Sequence, residues 1–182
     1  MSVAATPAET DAVLRRLLDE SEIRAVLARY ARGCDRNDMD LVRSCYHADA
    51  TDAHGHVNGS LEEFIAYSKA FIDGMESMLH FLGQSVIDLE NDSAWVETYC
   101  VCYIRLKARE GEAPMDRLGI IRYVDVFERR GGDWRIARRK VVHHPGRLDP
   151  VGIDPQLADL AFRARMDQDD PSYDRRPESF LP

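Results

Sequence analysis

The chain predicts an α+β fold, a cone-shaped α+β barrel in which N-terminal helices pack on a curved, mostly antiparallel sheet around an apolar pocket. Apolar residues recur with a helical period through the first third and again over 60–75, and from residue 79 the period changes to two. Polar turns at Glu90–Asn91–Asp92 and Gly131–Gly132 then cut the second half into strands joined as antiparallel neighbours. Hydrophobic residues at 45% and charged residues at 31% of the 182 positions fit a globular domain. A chain of this length can enclose a small-molecule pocket.

Taken in order, Thr6 or Thr10 offers the N-cap of a segment carrying Val13, Leu14, Leu17 and Leu18. Ser21 then caps a second helix, or the first continues through a kink. From Ile23, residues Val26, Leu27, Tyr30, Ala31 and Cys34 fall on a stripe about 140° wide at 100° per residue. Asp35 lies about 40° beyond Ala31, a carboxylate at the edge of an apolar face on the last turn. Asn37 and Asp38 stop this helix, and Asp38 or Asp40 caps a short one through Leu41, Val42 and Cys45. The polar stretch HADATDAHGHVNGS has room for one short strand. Ser60 with Glu63 forms a capping box for a helix carrying Phe64, Ile65, Tyr67, Phe71, Ile72 and Met75.

LHFLGQSVIDL and SAWVETYCVCYIRLK read as strands, the second apolar on both faces, which predicts a sheet surface covered in a homo-oligomer. EGEAPMD is a loop, and RLGIIRYVDVFERR with DWRIARRKVVHH makes a hairpin. Beyond Pro145 the composition turns to Asp, Arg and Pro, with a candidate helix at 155–168. Residues 1–148 are therefore expected to form the α+β domain, and 149–182 a partly flexible extension with one short helix.

A net charge of −8 argues against nucleic acid and anionic membranes as partners, because neutralising phosphates takes a clustered basic surface. No apolar run has the length that crossing a bilayer needs. The opening MSVAATPAETDAVLRR lacks the basic-then-apolar pattern of a secretory signal, so a cytoplasmic location is expected. The cysteines Cys34, Cys45, Cys100 and Cys102 make no disulfide framework and read as buried thiols. Motifs for a serine nucleophile elbow, a phosphate loop and a dinucleotide fold are missing. His54 and His56 alternate along a possible strand, but no HExxH or Cys/His partner set accompanies them, so no metal and no cofactor is expected.

Two polar residues stand in apolar surroundings. Asp35 borders the helical stripe, and His80 opens the strand MLHFLG; each needs a partner if buried. A carboxylate that accepts from one imidazole nitrogen fixes the tautomer and raises the basicity of the other, which makes a proton-abstracting base. Tyr30, five residues before Asp35, offers a hydroxyl to polarise a carbonyl or protonate a leaving group. The plain structural alternative is that Asp35 caps the next helix, His80 is a buried strand residue and Tyr30 belongs to the core.

The string EIRAVLARYARGCDRNDMDLVRSCYHADA, the helix after it, LHFLGQSVIDL and the later FERRGGDWRI hairpin resemble the SnoaL-like branch of the nuclear-transport-factor-two-like superfamily. The resemblance covers about residues 8–145, and is closest to its cofactor-independent dehydratases and dehydrochlorinases. These include scytalone dehydratase, hexachlorocyclohexane dehydrochlorinase and bile-acid 7α-dehydratase. It implies an Asp/His base at Asp35 and His80, with Tyr30 at the Tyr-x-x-x-x-Asp spacing of the bile-acid enzyme. His54 stands where scytalone dehydratase has a tyrosine, and His143 where the bile-acid enzyme has an arginine. Cys34 and Cys102 stand where relatives carry a tyrosine and a second aspartate.

The expected catalytic residues are thus His80, Asp35 and Tyr30, and the expected substrate-binding residues His54, Tyr46, Tyr99, Tyr123 and His143. The implied activity is elimination of water or a similar group from a hydrophobic cyclic, steroid-like or polyketide-like molecule. An isomerase of the ketosteroid-isomerase or polyketide-cyclase kind would use the same base. A non-catalytic binding or assembly domain is the alternative of another class. A homotrimer is expected ahead of a dimer.

Overall fold

The structure is a computed structural model describing residues 6–108, 110–152 and 164–176. Helix α1 (Pro7–Asp35) starts at Thr6, whose side chain accepts from the Glu9 N–H while Glu9 reaches back, and it runs unbroken through Ser21. The stripe from Ile23 to Cys34 is buried, whereas Val13, Leu14, Leu17 and Leu18 are each more than half exposed. The helix is pinned at its middle by Asp19, which accepts from Trp134 Nε1 at 3.0 Å and Arg129 Nη1 at 2.6 Å. Asp38, not Asp40, caps the short α2 (Met39–Ser44).

Strand β1 (Tyr46–Ala53) and the short β2 (Asn58–Ser60) replace the single strand expected there. Ser60 and Glu63 form the capping box of α3 (Leu61–Ile72). Met75, expected on that helix, instead opens β3 (Met75–Glu90), so the strand begins four residues before Leu79. β4 (Ser93–Leu106), β5 (Met115–Arg130) and β6 (Asp133–His143) follow as antiparallel neighbours. β7 (Arg147–Pro150) pairs with the start of β5, so the expected boundary at 148 falls inside a strand. The expected helix at 155–168 lies largely outside the described residues, and 164–168 are irregular.

The strand order is β2–β1–β6–β5–β4–β3, with β1 parallel to β6 and every other pair antiparallel. This is a curved mixed sheet with helices packed against it, the cone-like α+β fold expected, although the sheet does not close on itself. Its inner face carries the alternate residues Val96, Thr98, Cys100, Cys102 and Ile104 of β4, all buried. The outer face leaves Leu79, Phe81, Trp95, Tyr99, Val101 and Ile120 between 38% and 68% exposed. Residues 164–176 return to the end of α1, where Asp170 pairs with Arg36 at 2.9 Å and Arg32 lies over the Tyr173 ring. Among the described residues no helix is long and apolar enough to cross a membrane.

Candidate active site

Asp35 is the last residue of α1, and the apolar stripe beside it delivers its carboxylate to the inner face of β3. There it accepts from His80 Nδ1 at 2.7 Å and from the His80 backbone N–H at 3.0 and 3.1 Å. Both side chains are nearly buried, at 9% exposure for His80 and 8% for Asp35. Placing the proton on Nδ1 leaves Nε2 with its lone pair toward the interior, the arrangement of an oriented base. The Cys102 thiol approaches that nitrogen at 3.6 Å. Burial pushes this thiol above its ordinary range, so it meets the imidazole as a neutral S–H donor.

A second Asp–His pair stands on the other side. Asp52 of β1 is fully buried and accepts from the Tyr46 hydroxyl at 2.8 Å and from His54 Nδ1 at 2.9 Å. The His54 ring stacks on Phe64 with centroids 4.9 Å apart. Gly55, with φ +86, turns the chain directly after it, in a backbone region that side chains avoid.

A third polar group is buried beneath both. Arg139 of β6 makes a two-pronged bond to Asp125 of β5, at 2.8 and 2.7 Å, with both side chains wholly buried. Its guanidinium lies 4.1 Å from the ring centres of both Tyr30 and Tyr123. Burial opposes the charge on Arg139 most strongly, but Asp125 together with Tyr46 and Tyr30 outweighs it and holds the guanidinium protonated. Burial also pushes the hydroxyls of Tyr30, Tyr46 and Tyr123 well above the usual tyrosine range, so all three are neutral phenols. Among the described residues, the Tyr123 hydroxyl and Arg139 Nη1 are buried without a hydrogen-bond partner.

Between α1, α3 and the inner face of the sheet lies a cavity of about 710 Å³, the size of small-molecule sites. Its wall is mostly apolar, with Phe64 and Tyr67 of α3 facing Ile104 and Ile121 of the sheet. Of the expected residues, His80, Tyr30, His54 and His143 line it, and Asp35 stands behind His80. Tyr46 and Tyr123 do not line it; they pack edge-on against Tyr30, with centroids 5.9 and 5.6 Å away.

Tyr99 is a correction. It sits on the outer face at 42% exposure, because strand alternation gives the inner face to its neighbours Thr98 and Cys100. The sequence reading missed Asp52, Arg139, Asp125 and the cavity-lining Arg117, and took Cys102 only as a buried thiol standing where a relative has an aspartate. Alternation carried a signal for two of them: Asp52 shares the face of His54, and Asp125 falls between Tyr123 and Phe127 on the buried face of β5. Among the described residues, no cluster of three or more His, Cys, Asp or Glu side chains is placed to hold a metal ion.

The SnoaL-like domain family matches residues 15–140. No curated protein matches the chain. Among solved structures, a type 2 hexachlorocyclohexane dehydrochlorinase is similar at 17% identity and a TM-score of 0.69, covering 79% of this chain and 98% of that one. A putative scytalone dehydratase from Novosphingobium aromaticivorans is similar at 16% identity and 0.66, covering 76% and 97%. A protein of unknown function from Mycobacterium tuberculosis is similar at 21% identity and 0.61, covering 86% and 84%. At these identities the likeness is one of fold. The match over residues 15–140, together with that fold, makes the chain a member of the SnoaL-like domain family, within the nuclear-transport-factor-two-like superfamily.

Proposed function

We propose that the protein is a cofactor-independent lyase that eliminates water, or a similar leaving group, from a hydrophobic cyclic small molecule. The observation that carries this reading is the Asp35–His80 dyad at the wall of an apolar cavity. His80 Nε2 takes a proton from a carbon next to a carbonyl, and the electron pair left behind forms the new double bond as the β-hydroxyl departs. The departing oxygen leaves as water after receiving a proton from Tyr30, a neutral phenol, or from the imidazolium form of His54. Having proton-carrying groups besides the base fits elimination. Two neighbours of the same fold, a putative scytalone dehydratase and a hexachlorocyclohexane dehydrochlorinase, bear names of eliminating enzymes, which supports the same class.

We also propose that the outer sheet face, with Phe81 and Trp95 at 68% and 59% exposure, is covered in a homo-oligomer, a trimer ahead of a dimer.

The test is incubation with a set of cyclic β-hydroxy ketones in D₂O, followed by NMR. Loss of water and deuteration at the α-carbon are expected with the natural protein. Both should fall by about 10²–10⁴-fold in His80→Gln, the usual worth of a positioned base. Asp35→Asn should lower both as well. Turnover unaffected by His80→Gln overturns the proposal.

A further inference from the structure

Among the described residues, one cation faces the cavity without a counter-charge. Among the described residues lining the cavity, Arg117 is the only arginine or lysine, and aspartate and glutamate are missing from its wall. Its neighbour in sequence, Asp116, points to the opposite face of β5 and is committed to Arg105 at 2.5 and 3.0 Å. The guanidinium of Arg117 has no ion pair or side-chain hydrogen bond among the described residues. What it meets is the face of Phe71, 5.8 Å from the ring centre. Arg139, on the same inner face, has its charge paired with Asp125. A half-buried arginine at an apolar wall has five N–H donors in a planar fork, which fits a carboxylate.

Strand register places this cation relative to the base. His80, Cys102 and Gly119 lie in one row across β3, β4 and β5, and Met78, Ile104 and Arg117 lie in the next row on the same face. Two residues along a strand is about 7 Å and the two strand spacings from β3 to β5 about 10 Å, so His80 and Arg117 stand on a backbone diagonal of about 12 Å. Gly119 has no side chain, and a Cβ built there would meet only Cys102, at 3.7 and 3.8 Å, so space stays open over Gly119, on the same strand as Arg117. Arg117 and Phe71 also border an adjoining hollow of about 600 Å³, where Lys107 and Glu112 are found and Lys107 is bonded to the Asp73 carbonyl.

We infer that the ligand of this cavity is an amphiphilic acid: a ring-sized apolar body beside His80 and one anionic group, a carboxylate or a comparable monoanion, on Arg117. The inference rests on the cavity being the substrate site, and it narrows the substrate to a cyclic acid whose anion is set off from the reacting carbon across the sheet, from β3 toward β5.

Two fluorescent probes with the same aromatic frame test it: 1-anilinonaphthalene-8-sulfonate, which is anionic, and N-phenyl-1-naphthylamine, which is neutral. Both are titrated into the natural protein, Arg117→Met, Arg117→Lys and Gly119→Leu, with circular dichroism as the folding control. Arg117→Met should weaken the anionic probe by about 10- to 100-fold and leave the neutral probe within about 2-fold, since one charge-assisted contact is lost. Arg117→Lys should recover part of the loss, and Gly119→Leu should expel both probes by filling the cavity space over Gly119. If Arg117→Met weakens both probes equally, or neither, Arg117 only packs on Phe71 and the inference is overturned while the cavity stands. If neither probe binds, or Gly119→Leu leaves both unchanged, the cavity is not a ligand site, and the inference falls with the reading beneath it.

Discussion

Arg139→Met removes the cation on which the aromatic floor of the cavity rests. It leaves Asp125, wholly buried, without the two hydrogen bonds that now satisfy it. Breaking a buried pair by removing one partner costs about 3–5 kcal/mol, because an uncompensated charge stays behind. The faces of Tyr30 and Tyr123, each 4.1 Å from the guanidinium, also lose their partner. At about 2–4 °C per kcal/mol for a chain of this size, Tm should fall by roughly 10 °C. The sign of the pH dependence follows from Asp125, which burial already pushes above its ordinary value even with Arg139 opposing. Without Arg139 that rise grows. A carboxyl whose folded pKa lies above its unfolded one destabilises as pH rises through the interval, so the penalty should be smaller near pH 4 than at pH 7. The double variant Arg139→Met with Asp125→Leu, which replaces both partners by apolar groups, should return to within about 2 kcal/mol of the natural protein. Urea unfolding at the two pH values is the assay. A cost below about 1 kcal/mol at pH 7, or one independent of pH, refutes the reasoning.

Asp170 anchors residues 164–176 to the end of α1. Burial pushes its carboxyl up, but hydrogen bonds from Ser172 and the Arg165 N–H, with Arg36 alongside, outweigh it and hold the pKa down at about 2. Being depressed, this contact is present above the ordinary carboxylate range and lost only as pH falls toward 2. The Tyr173 ring resonances should therefore keep their native shifts at pH 4 and lose them near pH 2, whereas in Asp170→Asn they should be lost at neutral pH. Phe81→Glu places a charge in the apolar outer face and should convert the proposed oligomer to monomer in sedimentation velocity. A natural protein that already sediments as a monomer at tens of micromolar removes the basis for covering that face.

Periodicity made the helices-then-strands order legible, and the buried stripe of α1 from Ile23 to Cys34 matches the wheel drawn from the sequence. The Asp35–His80 pair stood out for a related reason, and the family resemblance then chose it over the plain structural alternative. Each is a polar residue in an apolar pattern, and a buried polar group calls for a partner. What the pattern could not carry were distances across the sheet. Asp52 with His54, and Asp125 with Arg139, are joined only by strand alternation and register, which a run of letters leaves open. Tyr99 went astray because a strand apolar on both faces gives no sign of which face is inner. Met75 was given to the wrong element because an apolar residue three positions after Ile72 extends a helical pattern just as well as it opens a strand.

The most direct test of the central claim, that His80 oriented by Asp35 takes a proton from a bound ring, is a crystal structure with an unreactive cyclic ketone acid in the cavity. The account predicts the carbon next to the carbonyl about 3–3.5 Å from His80 Nε2, in the place of the Cys102 thiol, with an oxygen facing Tyr30 or His54. A ligand seated with its acidic carbon away from His80, or a cavity collapsed around its own side chains, would contradict it.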